Sequence, residues 1–195
     1  MQTLAANMPT IRVTPARGKS VVAGEQIYTA GASGIAWRIT RGVVRLDRVG
    51  PEELSFAGLG LKDDLIGVES LLLGKYSFAA RALNDCYLLP WLPSSENPSS
   101  DTLARIFLAI ERRAADAMAL RSGEAFDRMR RLFRLLADEQ ADRTTLRIAI
   151  PSLKDMAGMT GLTVETASRA ISHFVKSGML IRLDRRTGLV EAGDF

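Results

Sequence analysis

The chain has 195 residues, of which 47% are hydrophobic and 25% charged, and a formal net charge of +4. That length supports one large domain or two small ones with adequate cores, and the composition is ordinary for a globular protein. The mild basic excess permits a nucleic-acid partner without requiring one. No apolar run is as long as a membrane span, and the first residues lack the basic segment and apolar core of a secretory signal. The expectation is a cytoplasmic protein with no membrane partner. A single cysteine, Cys86, excludes an internal disulfide and any four-cysteine cluster within one chain.

Residues 19 to 92 hold short apolar runs broken by glycine. Trp37-Arg38-Ile39 and Val43-Val44-Arg45-Leu46 flank a Thr40-Arg41-Gly42 turn, and Gly24, Gly31, Gly50, Gly58, Gly67 and Gly74 recur at hairpin spacing. This pattern predicts an antiparallel sandwich or barrel. Pro90, Pro93 and Pro98, among serines, predict a loop from 90 to 101 that closes this unit. Within it, Cys86 is expected to be a buried strand residue.

From Asp101 the period becomes helical. Leu103, Phe107, Ile110, Ala114 and Ala117 repeat at three- and four-residue steps, the seam of a helix packed on a partner. Asp101 is expected to cap this helix and Gly123 to end it. A second helix, 124 to 138, carries Phe126, Met129, Leu132, Phe133 and Leu136 on one face. The small Ala114 and Ala117 allow two backbones to approach closely. A homodimer seam and an intramolecular helix pair both fit this pattern.

Residues 144 to 150 read as a short strand. Ser152 is expected to cap a helix running to about Thr160. A turn at Gly161 leads to a second helix, with Thr163 as its hydroxyl cap and Gly178 at its end. With Glu165 at zero and about 100° per residue, Ala167, Ala170, Ile171 and Phe174 fall between about 140° and 240°. Glu165, Ser168, Arg169, Ser172 and Lys176 fall within about 60° of zero. One face suits a core, and the other offers an acceptor, hydroxyls, a guanidinium fork and an ammonium, as a major-groove reader requires. Residues 179 to 184 and 189 to 192 flank Arg185-Arg186-Thr187-Gly188, a hairpin with a basic tip.

The stretch Gly161 to Arg169, followed by Phe174, Lys176, Ser177, Gly178, Met179 and Leu180, resembles the Fnr branch of the Crp–Fnr family of bacterial transcription regulators. Gly24-Glu25, Gly31, Gly42-Val43-Val44-Arg45, Ile66-Gly67, Gly74 and Ser77-Phe78-Ala79 are similar to that family's cyclic-nucleotide-binding-like β-roll. The resemblance implies an α+β fold: a β-roll sensor domain over 1–100, dimerisation helices over 101–138, and a winged helix-turn-helix over 139–195. It implies that Glu165, Ser168 and Arg169 read base edges in a half-site containing TGA. Arg169 suits guanine O6 and N7, Glu165 a cytosine amino group, and Ser168 either kind of edge. Thr163, Ser172, His173, Lys176, Arg185 and Arg186 are expected at phosphates, which set affinity and salt dependence. A palindrome needs two reading helices about one DNA turn apart, roughly 34 Å, which favours the homodimer with Leu103, Phe107, Ile110, Ala114 and Ala117 at its interface.

The sensor half departs from the family's cyclic-AMP binders, which hold ribose with Gly-Glu and phosphate with Arg-Ser. Here the stretches are Gly67-Val68-Glu69 and Tyr76-Ser77, with the glutamate displaced and the arginine lost. Arg81, an odd number of residues beyond Tyr76, would face the other way on a continuous strand. Cyclic-nucleotide binding is therefore not expected, nor is an iron–sulfur cluster, nor haem through the only histidine, His173. No cofactor, metal site or enzyme constellation is read.

The expected function is a homodimeric, sequence-specific regulator of transcription. Its partners are double-stranded DNA, a second copy of itself, RNA polymerase and an unidentified or absent small-molecule effector. The alternative is a ligand-binding regulatory module whose winged helix contacts a protein partner.

Overall fold

The computed structural model describes residues 17–50, 54–91, 99–138 and 145–191. Strands β1 (Lys19–Val21), β2 (Gln26–Tyr28), β3 (Ala36–Arg41), β4 (Val44–Val49), β5 (Leu54–Gly60), β6 (Leu65–Ile66), β7 (Ala79–Ala82) and β8 (Cys86–Trp91) form the N-terminal half, with a single-turn α1 (Ser70–Leu73) between β6 and β7. They make two four-stranded antiparallel sheets, ordered β1-β8-β3-β6 and β2-β7-β4-β5. The glycine-punctuated runs thus fold as the expected sandwich. Asn84 and Asp85, in the β7–β8 turn, pin its end: Val43 N donates to Asn84 Oδ1 at 2.7 Å and Ala23 N to Asp85 Oδ1 at 3.0 Å.

Side chains alternate across each strand, so β4 sends Val44 and Leu46 inward. There they join Val21, Ile39, Ile66, Ala80, Cys86 and Leu88 between the sheets. Cys86 is buried on its strand, and burial pushes its thiol up to about 11. Pro90 is paired within β8, opposite Trp37, so the expected loop does not begin there. Pro93, Pro98 and the rest of that loop, 92–98, lie outside the described residues.

Helix α2 (Ser100–Ala119) begins two residues earlier than an Asp101 cap implies. Ser99, in extended geometry, is its cap and accepts from Thr102 N, while Asp101 sits in the first turn, where an anion favours the helix dipole. The helix stops at Leu120 rather than running on to Gly123. It lies along β5, with Arg113 Cβ 3.5 Å from where a side chain on Gly58 would begin. Arg112 pairs with Asp64 at 2.5 Å.

Helix α3 (Ala125–Leu136) buries Met129, Leu132, Phe133 and Leu136. The C-terminal unit adds β9 (Ala137–Asp138), β10 (Thr145–Ala149), α4 (Leu153–Thr160), α5 (Val164–Lys176), β11 (Leu180–Arg182) and β12 (Thr187–Glu191). Its sheet runs β11-β12-β10-β9, so the wing hairpin pairs with the strand preceding α4. Thr187 and Gly188 belong to β12 and not to the hairpin tip, because both pair with β10. Gly188 must be small there, as a Cβ would stand 2.7 Å from Leu180 Cδ1. The expected ends of these segments at residue 144 and Ala192 lie outside the described residues.

One apolar core is common to both halves. The outward residues Val43, Phe56, Leu59 and Leu83 of the roll join Leu120, Phe133, Ile148, Met156, Ala167, Phe174 and Leu180. Phe133 and Phe174 are fully buried, with ring centroids 5.8 Å apart in an edge-to-face arrangement.

Candidate nucleic-acid interface

Helices α4 and α5 are set by capping chemistry that the sequence announces. Ser152 accepts from Asp155 N at 3.1 Å at the start of α4. Gly161 ends α4 with φ 66°, a left-handed conformation that glycine takes without steric cost. Thr163 then accepts from Thr166 N at 3.2 Å to start α5. Each such cap contributes about 1 kcal/mol to its helix. Arg128 of α3 donates to Thr160 O at 3.2 Å and so satisfies a terminal carbonyl of α4.

Helix α5 buries Ala167, Ala170, Ile171 and Phe174 and leaves Glu165, Arg169, Ser172 and Lys176 exposed, with Ser168 half-buried. The two faces are sorted as the periodicity predicts. Bonds from its own backbone N–H and from the Thr163 hydroxyl, with the nearby charge of Arg169, hold the Glu165 carboxyl below the ordinary carboxylate range despite slight desolvation. It is therefore an anion, and an acceptor only, at neutral pH.

An open cleft of about 450 Å³ separates the start of α4, the polar side of α5 and the wing. Ser168, Ser172 and Arg185 meet there, as do Ser152 and Arg182, which sequence reasoning missed. Arg182 gives no local signal, because its place in the cleft comes from pairing β11 against β12. Glu165, Arg169, Lys176 and Arg186 are exposed but do not line this cleft. Thr163 is engaged as a cap. His173 leans on Phe126 of α3, with ring centroids 4.9 Å apart. Asp184 shapes the wing tip by accepting from Arg186 N at 2.6 Å and Thr187 N at 2.8 Å, which leaves the Arg185 and Arg186 side chains exposed.

On α2, Leu103, Phe107 and Ile110 are 52%, 62% and 47% exposed, and Ala114 is exposed beside them. Met118, at 66%, extends the stripe. These five lie within about 80° of one another at 100° per residue. Ala117 departs from the expectation: it is half-buried against the common core of its own chain.

In the N-terminal half, Tyr76 and Tyr28 stack inside the roll with centroids 3.8 Å apart, and Tyr76 Oη donates to Ile35 O at 2.7 Å. Glu69 accepts from Ser77 N at 3.1 Å, so the displaced glutamate and the backbone of the retained serine bond each other. Arg81 points away from this chamber and reaches Asp155 of α4. Among the described residues no group of three or more potential metal ligands occurs, and no helix is long and apolar enough to cross a membrane.

Residues 129–191 match the Crp-like helix-turn-helix domain family. The fold matches a CRP-family transcriptional regulator from Thermus thermophilus with a TM-score of 0.69 and 22% identity, over 90% of this chain and 93% of that one. It matches a CRP/FNR-family regulator from the same organism with a TM-score of 0.64 and 22% identity, over 89% and 93%. FixK2 from Bradyrhizobium japonicum gives 0.69 and 23%, over 89% and 91%. No curated protein sequence matches the chain. The chain thus carries a Crp-like helix-turn-helix on the α+β fold of Crp/Fnr-family regulators, with one cysteine where an iron–sulfur cluster needs four ligands.

Proposed function

Taking the Crp-like helix-turn-helix as premise, we propose that the protein is a homodimeric transcription regulator that reads a palindrome with TGA-containing half-sites. The observation that carries this reading is the exposed polar face of α5, held outward by four buried residues and flanked by a basic wing. The division of labour is a sensor domain over 1–100, dimerisation helices over 101–138 and a reading domain over 139–195. It acts where the chromosome is, in the cytoplasm, and RNA polymerase is its partner in control.

The first turns of α5 enter the major groove. Arg169 gives two parallel N–H bonds to guanine O6 and N7, the Glu165 carboxylate accepts from a cytosine amino group, and Ser168 bonds an adjacent edge. Ser172, Lys176, Arg185 and Arg186 meet phosphates, with His173 and the Thr163 end of the helix beside them. These contacts release counterions, so affinity falls steeply with salt. The exposed stripe on α2 supports pairing through Leu103, Phe107, Ile110 and Ala114, with Ala117 behind them. The stacked tyrosines and the lost phosphate arginine favour a regulator that binds DNA without a cyclic nucleotide.

Selection of random duplexes on the purified protein is expected to return such a palindrome. Arg169→Ala should then lose about 1–3 kcal/mol per half-site, roughly 5- to 150-fold, and relax the preference at the half-site guanine. Unchanged affinity and preference in that variant would remove α5 as the reading helix.

A further inference from the structure

We propose that Arg45, Asp47, Arg81 and Asp155 form a latch that fixes the pose of α4 on the roll, and through it sets the half-site spacing the dimer accepts. The second part rests on the DNA-reading function proposed above. The first part does not.

Arg45 and Asp47 lie on the outward face of β4, and Arg81 on β7 stands directly across from Arg45. On a solvated sheet face all three would be exposed, yet Arg45 is 8% and Asp47 5% accessible. Helix α4 lies against Arg45, and Asp155 on its first turn reaches both arginines. Arg45 Nε donates to both oxygens of Asp47, at 2.8 and 2.9 Å, and its Nη1 reaches Asp155 Oδ1 at 3.1 Å. Arg81 donates to the same Asp155 carboxylate through both of its terminal nitrogens. Asp155 is also held by its own helix, since Ser152 Oγ donates to Oδ2 at 2.7 Å. One carboxylate at the first turn of α4 therefore binds two strands of the sensor sheet.

Gly158 lies three residues beyond Asp155, and a Cβ on it would sit 3.4 Å from Arg45 Nη2. Arg45 thus packs closely over the Gly158 position of α4. Arg121, beyond α2, donates to Gly158 O at 3.3 Å. Both Arg45 and Arg121 lie over the ring of Phe56, at 5.7 and 6.0 Å.

Apolar burial adheres without direction, whereas a rigid guanidinium fork fixes angle and register. The shared core of Val43, Phe56 and Leu59 with the helical unit would hold α4 nearby in several poses. The ion cluster selects one. Half-sites one turn apart leave little tolerance, because each base pair advances the target by roughly 3.4 Å. Residues that fix the α4 pose are thus positioning residues for DNA reading, though they touch no base.

The test uses the full chain with Asp155→Asn and Arg81→Gln. Amide hydrogen exchange in the free protein should rise about tenfold or more in α4 and the facing parts of β4 and β7, with β3 and β8 unchanged. Binding is then compared on the selected palindrome, on versions with one or two base pairs inserted or removed at the centre, and on a single half-site. The parent should discriminate against altered spacing, and both variants should discriminate several-fold less while binding the single half-site equally well. Unchanged exchange in both variants overturns the latch. Raised exchange with an unchanged spacing profile overturns its positioning role. If Asp155→Asn loses protection throughout, the more exposed Arg81→Gln decides. A parent that binds no duplex defeats the DNA-reading proposal, and the exchange result still decides whether the latch exists.

Discussion

At the scale of single residues, local chemistry in the sequence carries far. Ser152 and Thr163 cap the helices they precede, because a hydroxyl before an apolar-periodic run has few other uses. Cys86 lies in the roll's interior, where desolvation raises its thiol to about 11 even though backbone hydrogen bonding at Val43 and Asn84 pulls the other way. In the native protein at pH 8 it should react with a disulfide reagent far more slowly than a free thiol and release one equivalent on unfolding; rapid native reaction would contradict its placement. Other residues escape such reading. The cap of α2 is Ser99 because Ser99, Ser100 and Asp101 all qualify chemically, and only the backbone geometry selects among them. Asp155 reads as an ordinary first-turn acid, since its arginine partners stand 74 and 110 residues away.

At the scale of elements, periodicity specified the faces but not the partners. The sorted face of α5 and the buried face of α3 appear where a 3.6-residue repeat puts them, with the difference that Phe126 stays 41% exposed and edges against His173. The seam on α2 was compatible with a second helix of the same chain or of another copy. Within the chain, α2 rests on β5, while α3 packs on α4, α5 and β10. That leaves Leu103, Phe107 and Ile110 uncovered. Phe107→Glu is accordingly expected to shift the protein from dimer to monomer in sedimentation analysis with an unchanged circular dichroism spectrum. It should also abolish tight palindrome binding, since each half-site alone supplies only part of the affinity. A variant that remains dimeric would place the interface elsewhere. The wing shows the opposite limit: its tip shifted because Thr187 and Gly188 pair with a strand about forty residues earlier, which no hairpin rule contains.

At the scale of the whole molecule, the ion cluster adds a pH dependence to stability. Burial alone would raise the Asp155 carboxyl above its ordinary 3.8; bonds from Arg81 and Ser152 and the charges of Arg81 and Arg45 outweigh that and hold it lower. A group depressed in the folded state stabilises above its unfolded value and loses that contribution as pH falls through the folded one. The stability gap between parent and Asp155→Asn in denaturant titrations should therefore be full near neutrality and shrink below about pH 4. A gap that widened on acidification would contradict the pairing. The apolar core that runs from Phe56 and Leu59 into Phe133 and Phe174 has a consequence for how such proteins diversify. The helix-turn-helix unit is not an interchangeable part: transplanted onto another roll, it would bring half of a core and find no matching half. On the proposed DNA-reading function, new specificities are reached most readily through the outward residues of α5, which the core never sees. Any ligand bound by the roll would have to be accommodated without disturbing the outer face of β4 and β5.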